Sequence, residues 1–193
     1  MKNKILTLFS VMAVMLATAG CGSKKSLADQ PAPDVPAATE ASVPAEVTAD
    51  ANASREFVTV KDAADVLLGR KDLKAVATQY GYKRLDGYAV YRLDSYDTML
   101  YKNCQPAKKM GKGVYADTPK PLRKGTSSYV AVKEDVTVGV FNQKAYDNLV
   151  AQVKNGGFRL VEQGYEDHYT NGQVDVYCYA QRRTVRLSKT VAE

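Results

Sequence analysis

Apolar and polar positions follow two rhythms along this chain, and each rhythm occurs twice. Leu73, Val76, Ala77 and Tyr80 recur at i, i+3, i+4 and i+7, and so do Tyr146, Leu149, Val150 and Val153. That spacing predicts two amphipathic helices. A short β-branched run precedes each, Val58-Thr59-Val60 and Val136-Thr137-Val138, which predicts a strand. Asp62 and Asn142 are the candidate helix caps. Both stretches end on glycine, at Gly81 and at Gly156-Gly157, where a left-handed residue closes a helix at little cost. Gly69 predicts a break within the first. Beyond the glycines stand "GYKRLDGYAVYRL" (81–93) and "GFRLVEQGYEDHY" (157–169). Each runs aromatic, basic, apolar, acidic and returns through a Gly-Tyr pair, Gly87-Tyr88 or Gly164-Tyr165.

Period two takes over after each helix. Asn171-Gly172 predicts a two-residue hairpin turn in the second half, and "LDSYDT" (93–98) a looser connection in the first. With 171–172 as the loop, Thr170 faces Gln173, Tyr169 faces Val174, His168 faces Asp175, Asp167 faces Val176 and Tyr165 faces Cys178. Val174, Val176, Cys178 and Ala180 then form a buried face. Gln173, Asp175, Tyr177 and Tyr179 share the open face with His168 and Glu166. Asp167 falls on the buried side, which an edge position or a bulge would accommodate. "SSYVAVKED" (127–135) predicts a further strand turning at Glu134-Asp135, and Arg182–Ser188 a continuation of the last strand.

These elements describe an α+β fold of two tandem β-α-β-β units sharing an antiparallel sheet, with helices on one face. One unit alone would leave its sheet poorly covered, and two complete a core. The divisions are 1–20, a leader; 21–55, a tether; 56–103, the first unit; 104–126, a basic inter-repeat loop; and 127–193, the second unit. In element order, 57–187 resembles the β-lactamase inhibitor protein and the TATA-binding-protein-like group of folds. The resemblance brings no functional motif with it.

The N-terminus has a chemistry of its own. Lys2 and Lys4 precede an apolar run from Ile5 to Leu16, too short for the ~20 residues of a bilayer span. It ends in Leu16-Ala17-Thr18-Ala19-Gly20-Cys21, which resembles the lipobox of bacterial lipoproteins, with Thr18 where that family most often has leucine. The resemblance implies cleavage before Cys21, acylation of that cysteine, and a cell-envelope location, the outer membrane favoured over the inner. The general layout is similar to that of small lipoproteins of anaerobic Gram-negative bacteria. Residues 22–55 mix Pro31, Pro33, Pro36 and Pro44 with Ala, Glu, Asp and Ser, and carry no apolar period. They read as a disordered tether, whose reach is about 30 Å.

Charge changes the picture in one place. The chain carries a formal +6. Lys102, Lys108, Lys109, Lys112, Lys120, Arg123 and Lys124 lie between 102 and 124 against Asp117 alone. A solvated loop explains such a run. As a site, Lys108, Lys109, Lys112, Lys120, Arg123 and Lys124 would bind an anionic surface or polymer, either lipid headgroups or a glycan. The aromatic–basic interleaving of RNA-recognition sheets is missing, which argues against nucleic acid.

No catalytic set is legible. Cys178 and His168 are close in sequence but alternate onto opposite faces, so a thiolate–imidazole pair is not expected. Cys104 and Cys178 are a candidate disulfide in an oxidising compartment. One histidine makes no metal site, there is no phosphate-binding glycine loop, and neither metal nor cofactor is expected. An active site formed only between the units would escape a local reading. The thirteen tyrosines fit strands by preference. They are also rigid amphipathic contacts, so Tyr177 and Tyr179, with His168 and Asp175, are the candidate surface for a protein or other envelope partner.

Overall fold

The structure, a computed structural model, describes residues 56–123 and 125–191. The leader, Cys21, the tether and Lys124 lie outside the described residues.

The chain enters through two short helices, α1 (Val60–Leu67) and α2 (Leu73–Tyr80). The break expected at Gly69 is there, with Gly69 at φ +70°. Val58-Thr59-Val60 is not a strand. Thr59 is the N-cap of α1, its side chain accepting from the Asp62 amide at 3.1 Å, and Val60 is the first helical residue. Asp62 therefore sits inside the first turn rather than capping it. Asp72 caps α2 by accepting from the Ala75 amide, and Gly81 closes it in the left-handed conformation.

Strands β1 (Lys83–Val90) and β2 (Asp94–Lys102) form a hairpin around Tyr91–Leu93, with Arg92 at φ +58°. "LDSYDT" is thus largely strand, not connection. The segment expected as a loop forms four short strands: β3 (Cys104–Gln105), β4 (Lys109–Gly111), β5 (Val114–Tyr115) and β6 (Lys120–Pro121). β3 pairs with β6 in a small sheet of their own, while β5 lies parallel to β1 and carries β4 at the edge. Then follow β7 (Ser128–Val132) and β8 (Val136–Val140), turning at 133–135 as expected.

Helix α3 (Gln143–Asn155) is capped by Asn142, whose side chain accepts from the Ala145 amide at 2.8 Å. It buries Tyr146, Leu149 and Val153, the stripe its spacing predicts. β9 (Arg159–Glu162), β10 (Asp167–Thr170), β11 (Val174–Tyr179) and β12 (Thr184–Lys189) complete the chain. Arg182–Ser188 does not prolong β11. Arg183, at φ +53°, turns the chain, and β12 returns antiparallel beside it.

The main sheet runs β4-β5-β1-β2-β7-β8-β12-β11-β10-β9. Among the described residues, three helices and a ten-stranded, mostly antiparallel sheet give the α+β class. β1-β2-β7-β8 is one meander and β9-β10-β11-β12 another, each following a helical segment. Their last strands, β8 and β12, pair at the centre.

Alternation sorts the side chains into two clusters. Leu100, Val130, Val136, Val138, Val140, Val176, Cys178, Val185 and Leu187 face the helices and pack on Val60, Val76, Leu149 and Val153. Met99, Tyr129 and Ala131 point the other way and are covered by Ala107 and Tyr115 of the 104–126 excursion. Tyr115 stacks on Tyr88 at 4.1 Å, and the Tyr88 hydroxyl donates to the Asp117 carbonyl. The excursion thus covers the second sheet face over β1, β2 and β7 only.

Candidate functional site

Beyond β7 the second face carries polar and aromatic side chains. The hairpin register decides which of them meet. Asn171 closes the turn, its amide donating to the Val174 carbonyl at 3.2 Å and its Oδ1 accepting from the amides of Gln173 and Val174. The two loop residues are therefore Gly172, at φ +84°, and Gln173. Thr170 faces Asp175, Tyr169 faces Val176, His168 faces Tyr177 and Asp167 faces Cys178. Every partner moves by two residues from the expected register. Faces repeat every two residues, so the assignment of side chains to faces survives while the neighbours change. Asp167 does stand on the helix side, half-buried at the start of β10, beside a bulge between His168 and Tyr169.

One cross-strand row results: Thr137, Arg186, Tyr177, His168 and Glu162 on five consecutive strands. The His168 and Tyr177 rings stack at 4.5 Å, only 7° from parallel. The Arg186 guanidinium lies over the Tyr177 ring at 4.2 Å. It also bonds Glu166 Oε2 at 3.0 Å and approaches Asp135 Oδ2 at 3.8 Å. Burial pushes the Asp135 carboxyl up, and neighbouring Asp94 adds to this against the pull of Arg186. In the next row, His168 Nε2 stands 3.5 Å from Asp175 Oδ1 without a well-directed hydrogen bond. Burial alone would raise Asp175. Contacts from Thr170, Thr190 and His168 outweigh that and hold it below the ordinary carboxylate range. At the end of β11, Tyr179 meets Tyr165 ring to ring at 4.6 Å and hydroxyl to hydroxyl, and donates to Gln181.

The four expected residues thus share one face, but they are half-buried rather than open. Tyr177 is enclosed by the His168 ring and the Arg186 guanidinium. Arg186 and Asp135 were not foreseen. Arg186 alternates with the buried Val185 and Leu187, a period-two signal that became readable once 184–189 was a strand of its own.

Cys104 and Cys178 do not form a disulfide with each other. Both are free and buried. Cys104 donates to the Ser128 carbonyl of β7 at 3.5 Å, while Cys178 lies on β11 under α3. From β7 to β11 is three strand steps of about 4.8 Å, beyond the ~7 Å Cα limit for a bridge. Burial pushes the Cys178 thiol to about 12, with Asp167 adding to it. It faces away from His168. Among the described residues no three His, Cys, Asp or Glu side chains converge as a metal-binding group.

Of the basic residues, Lys108, Lys109, Lys112, Lys120 and Arg123 are all exposed. They do not gather at one point. Lys108–Lys112 occupy the β4–β5 hairpin beside β1, and Lys120–Arg123 lie beside β3. On the helix side, a cleft of about 600 Å³ opens over Val60, Ala64, Leu68, Phe158 and Val174. Its rim groups pair with one another: Lys61 with Asp65 at 2.7 Å, Arg70 with Gln173 at 3.1 Å, and Gln152 Oε1 with the Val60 amide at 2.9 Å. No helix among the described residues is long and apolar enough to cross a membrane.

Compared with protein-family models, with curated proteins and with solved structures, the chain matches none.

Proposed function

We propose that the chain is a non-enzymatic lipoprotein of the bacterial cell envelope, anchored through Cys21, that binds a protein partner on the β8-β12-β11-β10 half of its sheet. The observation that carries this reading is the unequal covering of the second face. One half is sealed by the 104–126 excursion, while the other presents Arg186, Tyr177 and His168 as a stacked row with acidic side chains around it. Arginine and tyrosine dominate interface hot spots. Side chains already held by stacking lose little rotamer freedom on binding. A nucleophilic thiolate at Cys178 has no place in this reading. The only thiol near His168 in sequence is buried, protonated and on the opposite face.

The test is affinity capture from the cell's own envelope extract, with wild type and Tyr177→Ala compared in parallel. Retention of a partner by wild type and its loss from a variant that still melts cooperatively supports the reading. Equal retention by both removes it.

A further inference from the structure

The cations of the 102–123 segment are clustered in sequence, with a single acid, Asp117, among them. None of Lys108, Lys109, Lys112, Lys120 and Arg123 is ion-paired among the described residues. Asp117, the one acid of the segment, turns its carboxylate to the Thr118 amide at 2.7 Å. Each end of the excursion also exposes one large apolar side chain among those cations. Met110, 54% exposed, stands between Lys109 and Lys112 on the β4–β5 hairpin. Leu122, 60% exposed, stands between Lys120 and Arg123 beside the β3–β6 pair. A solvated loop needs neither apolar residue at its tips. A soluble polyanion would be served by the cations alone. Cations flanking an exposed apolar side chain match an anionic bilayer surface, whose headgroups attract the charges while the shallow acyl boundary accepts the apolar group.

The place in the fold points the same way. Lys102 Nζ donates to the Glu56 carbonyl at 3.0 Å, where the described chain begins, and the Leu122 amide donates to the Asn103 carbonyl next to it. The expected tether therefore enters the fold at the Leu122 end of the excursion.

We infer that the 102–123 excursion is a lipid-docking surface, binding anionic phospholipid headgroups through its unpaired cations with Met110 and Leu122 as shallow apolar anchors. This is independent of the partner-binding half-face. It would hold the folded part against the bilayer that the tether allows it to leave.

Residues 22–193 keep every described residue and lack the acyl site, so vesicle binding then reads the excursion alone. Phosphatidylglycerol–phosphatidylcholine vesicles and pure phosphatidylcholine vesicles are compared in co-sedimentation at low salt. A cation near such a surface is worth roughly fivefold in affinity. Lys109→Glu with Lys112→Glu, and separately Lys120→Glu with Arg123→Glu, should each weaken binding to the anionic vesicles by about tenfold or more. Met110→Ser with Leu122→Ser should leave the low-salt attraction but abolish the part that survives at high salt. All six positions are exposed, and unchanged thermal melts confirm that the variants fold. Equal binding to both vesicle types, or insensitivity to both charge pairs, overturns the proposal. So does dextran sulfate binding that competes fully with vesicles while Met110→Ser/Leu122→Ser is silent, which would make the ligand a polyanion in solution.

Discussion

The Asp62 carboxylate gathers Lys71 Nζ and the Tyr80 hydroxyl, the latter at 2.6 Å, and so ties α1 to α2 across the Gly69 break. Burial alone would raise its pKa. The Lys71 ammonium and the Tyr80 hydroxyl outweigh that and hold it below its ordinary value. A carboxyl lowered by folding stabilises the fold above its unfolded pKa of about 3.9. That contribution is lost as pH falls below this value and through the folded one. Asp62→Asn should therefore cost about 2 kcal/mol near neutrality, the loss of charge-assisted bonds from Lys71 and the Tyr80 hydroxyl, since the half-exposed Lys71 can turn to water. The variant should also show a shallower loss of stability below pH about 4 than wild type does. Urea melts across pH check both. The sequence marks Asp62 only as a polar residue before an apolar stripe, and a cap was the natural reading. Its partners lie 9 and 18 residues away, across a break whose geometry no local pattern contains. Val176 is the contrasting case, because strict alternation from Val174 to Cys178 gives its burial directly. Val176→Asp should lower stability by about 3 kcal/mol or more, an unpaired carboxylate in the core. Tyr177→Ala, on the half-covered face, should cost less than half as much in the same melts.

The alternation of Val136–Val140 and Val174–Tyr179 gave those strands, and the apolar stripes gave α2 and α3, while β12 was read only as a prolongation of the strand before it. What escaped was pairing. Asn171-Gly172 announces a turn, yet Asn171 spends its side chain on the amides of Gln173 and Val174, so the loop slides forward by one residue. The two-residue shift of partners that follows replaces His168–Asp175 with His168–Tyr177 as the facing pair. The candidate face was thus readable and its stacking was not. Short strands of two or three residues, such as β3 to β6, have no period to read. Gly139 marks another pairing feature. It lies opposite Tyr129 on β7, and a Cβ there would overlap the Tyr129 ring. The ring covers the bare backbone of β8 on the face sealed by the excursion. Gly139→Ala should destabilise by about 2 kcal/mol through that overlap. Tyr129→Leu added to it should recover part of the loss, a coupling that a double-mutant cycle in urea reads directly.

At the scale of the molecule, two meanders meet through β8 and β12, and the helices bind them together rather than serving one each. Helix α1 lies N-terminal to the first meander, yet it packs over both β8 and β12 and touches α3. The helix-side core is shared in the same way, with Val60 and Val76 from the first half closing on Val176, Val185 and Leu187 from the second. A repeat whose halves had separate cores would unfold in two steps. Here, neither half keeps its cover without the other, since α1 packs over both β8 and β12, and each of these strands would become an unpaired edge. The intact chain should therefore unfold in one cooperative transition, with tyrosine fluorescence and far-ultraviolet circular dichroism superimposing in urea. Separately produced fragments 56–140 and 141–193 should each lack a cooperative melt. On mixing they should regain one, because the contacts across the β8–β12 seam and beneath α1 are all present in the pair. A fragment 56–140 that melts cooperatively alone would mean that the first half has a core of its own. The two meanders would then be two domains side by side, not two parts of one core.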